Sequence, residues 1–399
     1  MDLLKRIEDM REDMIEALKK FVSINSVNPG GGGPGEKEKA DWLETLLKDL
    51  GYPIVERYDV VDDSGYTRSN VVAKIPGRSE KNLWIVTHID TVPPGDLKAW
   101  KYDPFDPVVE DDKIYGRGSE DNGGSMIASI YAGKALMDLS VEPKMNYSLV
   151  LVADEEYGSE WGIEYLIEKG IFKEGDLFLV PDAGNSRGDF IEVAEKSILW
   201  MEIEVVGKQT HASTPEDGKN AFRKGAQIVL GVDRALHERF SKKDELFHPP
   251  ESTFEPTKVE KTVDNVNTIP GKFIFCIDCR VLPDYDLNDV IETIEGVIEK
   301  EREDFNVITR ILQRLDAPKP TPPDSEIVLI LKEAIKRVRG IDAIVGGIGG
   351  GTCAAHFRKR GWHAAVWSTI DGTAHQPNEY KRISHMIEDA KVFAELFRA

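Results

Sequence analysis

Residues 83–90 read LWIVTHID, a short apolar run that ends in polar residues able to bind a metal ion. Three other runs have the same form: LVLVADEE at 149–156, LFLVPD at 177–182, and AAVW at 364–367, which leads into a loop with Asp371 and His375. Uniformly apolar runs between helical stretches are typical of strands that are covered on both faces of an α/β sheet. Because ligands bind at the carboxyl ends of such strands, one shared site would explain all four polar ends.

Helical patterns surround these strands, and the middle of the chain has a different pattern. Apolar spacing predicts an amphipathic helix over 1–22 and a second helix over 36–50, with a Gly/Pro loop at 29–35 between them. Alternating strands and helices then predict a separate α+β domain. Its predicted elements are strands at 200–206, 273–281 and 307–312 and helices at 220–239 and 287–303.

We therefore predict an α/β fold with two domains. The first domain, residues 1–191 and 317–399, has a mixed central sheet flanked by helices, and the second, residues 192–316, is inserted into it. A proline-rich stretch at 318–323 forms a stiff linker between the inserted domain and the last helices and strand of the first.

The composition excludes several classes of partner. Lys and Arg total 51 and Asp and Glu total 71, so the net charge of −20 would repel nucleic acid and anionic membranes. The sequence has no apolar run near the ~18 residues of a membrane span. Three cysteines and the absence of a signal peptide favour a reducing compartment. We expect a cytoplasmic protein with no nucleic-acid or membrane partner.

Two further patterns allow more than one interpretation. Cys276 and Cys279 have the spacing of a redox or metal pair, yet they lie in an alternating strand without a second pair, which favours packed thiols. The glycines between 346 and 351 resemble a phosphate-binding loop, but the usual Gly-Lys-Ser/Thr ending is missing. We therefore favour a tight turn on the substrate side.

Two imidazoles and three carboxylates are candidate metal ligands: His88, Asp121, Glu156, Asp182 and His375. Amide hydrolysis needs a nucleophile and a sink for the developing oxyanion, and metal ions supply both. Zinc accepts His nitrogen and carboxylate oxygen in a shell of about four ligands, so this set suffices for two ions if one carboxylate bridges them. An adjacent acidic pair such as Glu155 and Glu156 is usually a solvated surface feature, but here it follows an apolar strand. The other five histidines are interpreted as surface or core residues.

Six motifs occur along nearly the whole chain: THIDTVP at 87–93, YGRGSED at 115–121, DEEYGS at 154–159, HAS at 211–213, NTIPG at 267–271 and GGGT at 349–352. Together they resemble the zinc-dependent family that includes succinyl-diaminopimelate desuccinylase, acetylornithine deacetylase, aminoacylase, glutamate carboxypeptidase and several dipeptidases. The resemblance implies a metal-dependent hydrolase that cleaves an amide or peptide bond in short peptides or N-acyl amino acids.

The resemblance also implies two divalent ions, with zinc expected and cobalt or manganese as alternatives. His88 and Asp182 would hold one ion, Glu156 and His375 the other, and Asp121 would bridge both. The peptide bond that follows Asp121 would be cis.

Further roles follow from the same resemblance. Glu155 would be the general base, and Asp90 would orient the imidazole of His88 as an outer carboxylate. His211 would stabilise the oxyanion, in its own site or that of a partner, from an inserted ferredoxin-like domain that acts as a lid or forms a homodimer. The expected substrate contacts are Asn267, Arg280, Gly350 and Thr352, although Arg280 also fits an ordinary surface strand residue.

The chain departs from the desuccinylase pattern at 350–357, which reads GGTCAAHF where those members read Gly-Gly-Thr-Ser-Asp-x-Arg-Phe. An arginine for a substrate carboxylate is thus missing, and the GGGT string and Asp182 favour peptidase-like branches. A desuccinylase or acetylornithine deacetylase proper is the alternative. A second alternative is a non-catalytic binding protein of the same fold. The presence of Glu155 disfavours it, because a metal-binding scaffold needs no additional carboxylate beside Glu156.

Overall fold

The largest sheet of this computed structural model, which describes residues 2–398, is mixed and has eight strands. The strands are β1 (Ile54–Val61), β2 (Thr67–Ile75), β3 (Asn82–His88), β4 (Val108–Glu110), β5 (Lys113–Tyr115), β6 (Asn146–Val152), β7 (Leu177–Asn185), β8 (Phe190–Glu195), β9 (Ser197–Val206), β10 (Thr210–His211), β11 (Thr253–Val259), β12 (Thr268–Ile269), β13 (Lys272–Val281), β14 (Asn306–Leu315), β15 (Ile344–Ile348), β16 (Ala364–Thr369) and β17 (Tyr380–Arg382). The helices are α1 (Leu3–Asp9), α2 (Arg11–Ser23), α3 (Lys37–Asp49), α4 (Gly124–Asp138), α5 (Tyr165–Glu168), α6 (Ala221–Arg239), α7 (Leu287–Glu301), α8 (Glu326–Arg339), α9 (Ala354–Lys359) and α10 (Ile383–Glu395).

The chain divides into two units. Unit 1 comprises residues 1–193, 320–346 and 352–399, and unit 2 comprises residues 194–319 and 347–351. Their identity as the predicted catalytic and dimerisation or lid domains stays a prediction. None of the helices within residues 2–398 is both long enough and apolar enough to cross a lipid bilayer.

The central sheet has the strand order β1-β2-β6-β3-β7-β16-β8-β15. Strand β3 pairs in parallel with β6 and β7, and β16 pairs in parallel with β7, so the carboxyl ends of these four strands meet at one edge. All seven residues of β3 are buried, as expected for a strand covered on both faces. The four apolar runs are therefore these four strands, and the predicted α/β fold with a mixed central sheet is confirmed.

The amino-terminal helix differs from its prediction. We predict one helix over residues 1–22, but the structure has α1 and α2, because Met10 leaves the helical conformation with φ −91° and ψ 10°. Both helices bury their apolar side chains, among them Ile7 and Phe21. The spacing of apolar residues continues across the break, so the sequence pattern does not reveal it.

Unit 2 contains an antiparallel sheet with the order β11-β13-β9-β14. Alternate residues of β9, from Leu199 to Val205, join a buried cluster with residues of α6 and α7, such as Ile228 and Ile294. The other face of β9 is more open, and Trp200 is exposed there. Cys276 and Cys279 of β13 are buried free thiols, in agreement with the packed-thiol interpretation.

Candidate metal centre

Five candidate ligands lie at the carboxyl edge of the central sheet, all in unit 1. His88 is the last residue of β3, Glu156 follows β6, and Asp182 lies within β7. Asp121 precedes α4, and His375 lies in the loop between β16 and β17. The parallel pairing of β3 with β6 and β7 brings the first three together.

The ligand atoms form two groups that share Asp121. His88 Nε2 lies 2.8 Å from Asp121 Oδ1 and 3.5 Å from Asp182 Oδ1. His375 Nε2 lies 3.0 Å from Asp121 Oδ2 and 3.0 Å from Glu156 Oε2. Within each group all ligand atoms lie within 4.8 Å of one another. The two oxygens of Asp121 thus face different histidines, as a bridging carboxylate requires.

This donor set fits divalent ions. Ligands about 2.0–2.2 Å from a tetrahedral zinc lie roughly 3–3.6 Å from each other, and the observed nitrogen–oxygen distances of 2.8–3.5 Å are close to that range. The pKa of His375 is raised to about 10 by its contacts with the carboxylates of Asp121 and Glu156. Negative charge that attracts a proton at this place also attracts a metal cation.

The backbone around Asp121 also agrees with an expectation. The Asp121–Asn122 peptide bond is cis, as the resemblance implies. Asn122 donates from its side-chain amide to Asp182 Oδ1 at 2.8 Å and to the carbonyl oxygen of Pro181 at 2.9 Å. The residue beside the shared ligand therefore also fixes the position of a second ligand.

Asp90 contacts two parts of the site. Its carbonyl oxygen accepts a hydrogen bond from His88 Nδ1 at 2.9 Å, whereas its carboxylate Oδ1 lies 3.6 Å from that nitrogen. The carboxylate accepts hydrogen bonds from the backbone N–H groups of Glu155 (3.1 Å) and Glu156 (3.2 Å) and from the Asn28 side chain (2.8 Å). The ring is thus oriented mainly by the carbonyl, and the carboxylate holds the turn that carries both glutamates.

Glu155 belongs to neither ligand group among the described residues. Its Oε1 lies 4.0 Å from Sγ of Cys353, a buried thiol at the start of α9. Burial raises the pKa of Glu155 well above its usual value, and the carboxylate of Asp182 adds to this. Burial also raises the pKa of Glu156 to about 7. Bound cations would lower both pKa values, since they favour the charged forms.

The other predicted site residues lie mainly in unit 2. His211 is exposed, its Nδ1 lies 2.7 Å from Ser213 Oγ, and its Nε2 lies 3.4 Å from the amide nitrogen of Asn267. Arg280 makes a two-pronged ion pair with Asp278 at 2.7 and 3.0 Å.

The glycine-rich stretch is divided between the two units. Arg280 donates to the carbonyl oxygen of Gly349 at 2.8 Å, next to Gly350. Thr352 lies in unit 1, where its Oγ1 accepts a hydrogen bond from the N–H of Ala354 at 3.2 Å. The roles of these residues in substrate binding stay predictions.

Sequence reasoning missed three residues that organise the site. Asn28 contacts Asp90 from the Gly/Pro loop, and the buried carboxylates of Glu120 and Glu379 bind backbone N–H groups near the ligands. The signals available were that Glu120 is adjacent to Asp121 and that Glu379 closely follows His375. Adjacency alone does not identify a partner in a chain with 71 acidic residues.

Known proteins resemble this chain along most of its length. A family model described as Peptidase family M20/M25/M40 matches residues 84–399. An uncharacterized metallohydrolase of Methanocaldococcus jannaschii is 41% identical, over 98% of this chain and 100% of that protein. A succinyl-diaminopimelate desuccinylase of a Nitratiruptor species is 27% identical, over 97% of this chain and 100% of that protein.

A solved structure has the same fold. The M20 family metallo-carboxypeptidase of Sulfolobus solfataricus superposes with a TM-score of 0.77 at 21% identity, covering 96% of this chain and 98% of that one. The predicted family resemblance is confirmed by the match of the family model and by the 41% identity to a metallohydrolase. On these grounds the chain belongs to Peptidase family M20/M25/M40.

Proposed function

We propose that the chain hydrolyses an amide or peptide bond in short peptides or N-acyl amino acids with the help of two divalent ions. The reaction class, hydrolysis of amide or peptide bonds, is confirmed by the family match. The observation that carries the two-ion proposal is the position of Asp121, whose two oxygens lie 2.8 Å from His88 and 3.0 Å from His375. Zinc suits this nitrogen and oxygen set, and cobalt and manganese are alternatives.

Each ligand has a defined place in this proposal. His88 and Asp182 hold one ion, Glu156 and His375 hold the other, and Asp121 contacts both. When bound, the ions supply an acidified water and a polarised substrate carbonyl. Glu155 takes a proton from the attacking water and returns it to the leaving nitrogen. Asp90 supports this proton transfer because its carboxylate holds the backbone N–H groups of Glu155 and Glu156.

The inserted domain supplies His211, Asn267 and Arg280 in our proposal, and the glycine-rich stretch near residue 350 supplies two further contacts. His211 stabilises the oxyanion, and Asn267, Arg280, Gly350 and Thr352 contact the substrate. The exposure of His211 and its 3.4 Å approach to Asn267 support a joint role. We also propose a cytoplasmic homodimer that is formed through this domain.

A hybrid dimer tests whether His211 acts across the dimer. A His211→Ala subunit paired with a Glu155→Gln subunit regains one complete site only if the histidine reaches the partner. Recovery of activity on mixing and reassembly is therefore the expected result. If analytical ultracentrifugation finds a monomer and that protein is fully active, the shared site is excluded.

The substrate proposal favours peptides over succinylated substrates. His356 occupies the position at which desuccinylases have an arginine, and its Nδ1 lies 2.5 Å from Glu164 Oε1. Arg360 also pairs with Glu164, at 2.9 Å. Glu164 thus contacts the side chains of both His356 and Arg360, which supports a pocket without a free arginine at this position for a second substrate carboxylate.

A substrate panel tests the function directly. Chain loaded with zinc, cobalt or manganese is assayed against dipeptides, N-acyl amino acids, N-succinyl-diaminopimelate and N-acetylornithine. We expect hydrolysis of at least one peptide class, lost on chelation and restored by metal. Elemental analysis should find about two ions per chain. Loaded protein that cleaves nothing in the panel would favour a binding protein, and protein that binds no ion would exclude the mechanism.

A further inference from the structure

Two buried carboxylates connect the loops that carry Asp121 and His375, because each belongs to one loop and accepts hydrogen bonds from the other. We call residues 117–123 the Asp121 loop and residues 370–379 the His375 loop. Glu120 belongs to the Asp121 loop and contacts the His375 loop, whereas Glu379 belongs to the His375 loop and contacts the Asp121 loop. Their exposed fractions are 4% and 0%. Each loop therefore holds the other through one charged side chain.

Glu120 binds the stretch immediately before His375. Its Oε1 accepts a hydrogen bond from the N–H of Asp371 at 2.7 Å. Its Oε2 accepts from the N–H of Thr373, from Thr373 Oγ1 at 2.8 Å and from the N–H of Ala374 at 3.1 Å. His375, the next residue, has a left-handed backbone with φ 61°, a conformation that needs support from its surroundings in a non-glycine residue.

Glu379 binds the backbone of Asp121 itself. Its Oε1 accepts from the N–H groups of Glu120 at 2.9 Å and Asp121 at 3.0 Å. Its Oε2 accepts from Arg117 Nη1 at 2.6 Å and from the N–H of Gly118 at 3.0 Å. All four partners are donors, so the ionised carboxylate fits this position.

We propose that Glu120 and Glu379 are positioning residues that set the affinity of the two metal ions. The inference rests on the proposed function, because it assumes that Asp121 and His375 are ligands. An ion needs its ligands at fixed distances, and residues that orient ligands typically change metal affinity by about 10- to 100-fold when they are mutated. Glu120 acts on the ion held by His375, and Glu379 acts on both ions through Asp121.

Glutamine substitution separates charge from size at these two positions. Each oxygen of Glu379 accepts from two donors, so a glutamine there must place its own N–H₂ group against two other donors. Glu120 Oε1 accepts a hydrogen bond from one donor among the described contacts, the N–H of Asp371. A glutamine that places its N–H₂ group there therefore faces only one other donor. We therefore expect Glu379→Gln to be the more severe change.

Stepwise titration of ion-free protein with zinc and cobalt tests the inference, with calorimetry and the cobalt absorption spectrum as readouts. We expect the wild type to bind two ions in succession. Glu120→Gln should weaken only the ion held by His375, about 10- to 100-fold, and Glu379→Gln should weaken both. Glu110→Gln is the matched control, because Glu110 pairs with Lys101 at the surface of the same unit.

The readouts distinguish positioning from a general loss of stability. A purely structural role would lower the melting temperature while the two affinities and the cobalt spectrum stayed as in the wild type, and that result would overturn the inference. If Glu120→Gln does not fold, Thr373→Val, which removes a single donor to Glu120, takes its place. If the wild type binds no ion, the proposed function fails. If every variant binds two ions as tightly as the wild type, only the inference fails.

Discussion

Two adjacent glutamates have different surroundings and, in our proposal, different roles. Glu156 Oε2 lies 3.0 Å from His375 Nε2, whereas Glu155 approaches Cys353 and lies in neither ligand group of the described residues. We expect Glu155→Gln to lower turnover about 100- to 10,000-fold with unchanged metal content, because the amide cannot accept the proton. Glu156→Gln should instead lower the metal content. Elemental analysis measures the metal content of each variant, and steady-state kinetics measure its kcat. Near-normal turnover of Glu155→Gln would refute the role of Glu155 as base.

Lys39 of α3 is a buried lysine whose Nζ lies 3.7 Å from the centroid of the Phe21 ring. Burial lowers the pKa of Lys39 to about 7, although the negative charges of Asp90 and Glu379 act to raise it. In the unfolded chain the pKa is about 10.4, so between pH 7 and 10 the unfolded state binds more protons and the free energy of unfolding rises with pH.

Lys39→Met should remove this pH dependence. We expect the rise in the free energy of unfolding from pH 7 to pH 9 to be smaller in the variant by roughly 2 kcal/mol. Urea denaturation of ion-free protein at the two pH values measures it. Comparing the change within each protein cancels the other titrating groups. An equal rise in both proteins would show that the lysine is not desolvated.

Among the elements, buried strands were predictable and the contacts between loops were not. The runs of β3, β6, β7 and β16 are uniformly apolar because both faces of the sheet are covered. Strand β1 alternates between exposed and half-buried residues at the sheet edge, and the sequence did not indicate it.

The site could be predicted where its residues end such strands. His88, Glu156, Asp182 and His375 follow from that rule, whereas the assignment of each ligand to an ion, with Asp121 between the two, came from the resemblance. Glu379 and the N–H of Asp121 are 258 positions apart, and a backbone donor leaves no mark on the sequence. The same holds for the carbonyl of Asp90, which receives the hydrogen bond of His88.

Arg68 of β2 joins two other segments in the interior. Its Nη2 lies 2.5 Å from Glu36 Oε1, just before α3, and 3.0 Å from Asp154 Oδ1, just after β6. All three side chains are buried, and removing the guanidinium leaves buried carboxylates without their counter-charge. We expect Arg68→Met to lower the free energy of unfolding by roughly 3–5 kcal/mol, as measured by urea denaturation.

Arg78→Met is the control for this change, because Arg78 pairs with Glu142 at the surface with 64% and 62% of the side chains exposed. Exposed pairs of this kind contribute about 1 kcal/mol or less. Similar losses in both variants would mean that the interior ion pairs contribute no more than a surface pair.

At the scale of the whole molecule, all five proposed ligands belong to unit 1, on either side of the insertion. Ions that bind only the folded site stabilise it by about 4 kcal/mol at a thousand times their dissociation constant. Segments 117–123, 154–158 and 370–379 carry three of the ligands, Asp121, Glu156 and His375. Helices α6 and α7 of unit 2 carry none of the five.

Hydrogen exchange with mass spectrometry can therefore locate the effect of the metal. After chelation we expect faster exchange of backbone amides in those three segments, because each loses a ligand contact that opposes local opening. Amides of α6 and α7 should exchange as before, which makes them an internal control. Faster exchange throughout both units would mean that the ions stabilise the chain as one cooperative unit. Unchanged exchange rates in the three segments would contradict the ligand assignment, because backbone amides beside a ligand should exchange faster once its ion is removed.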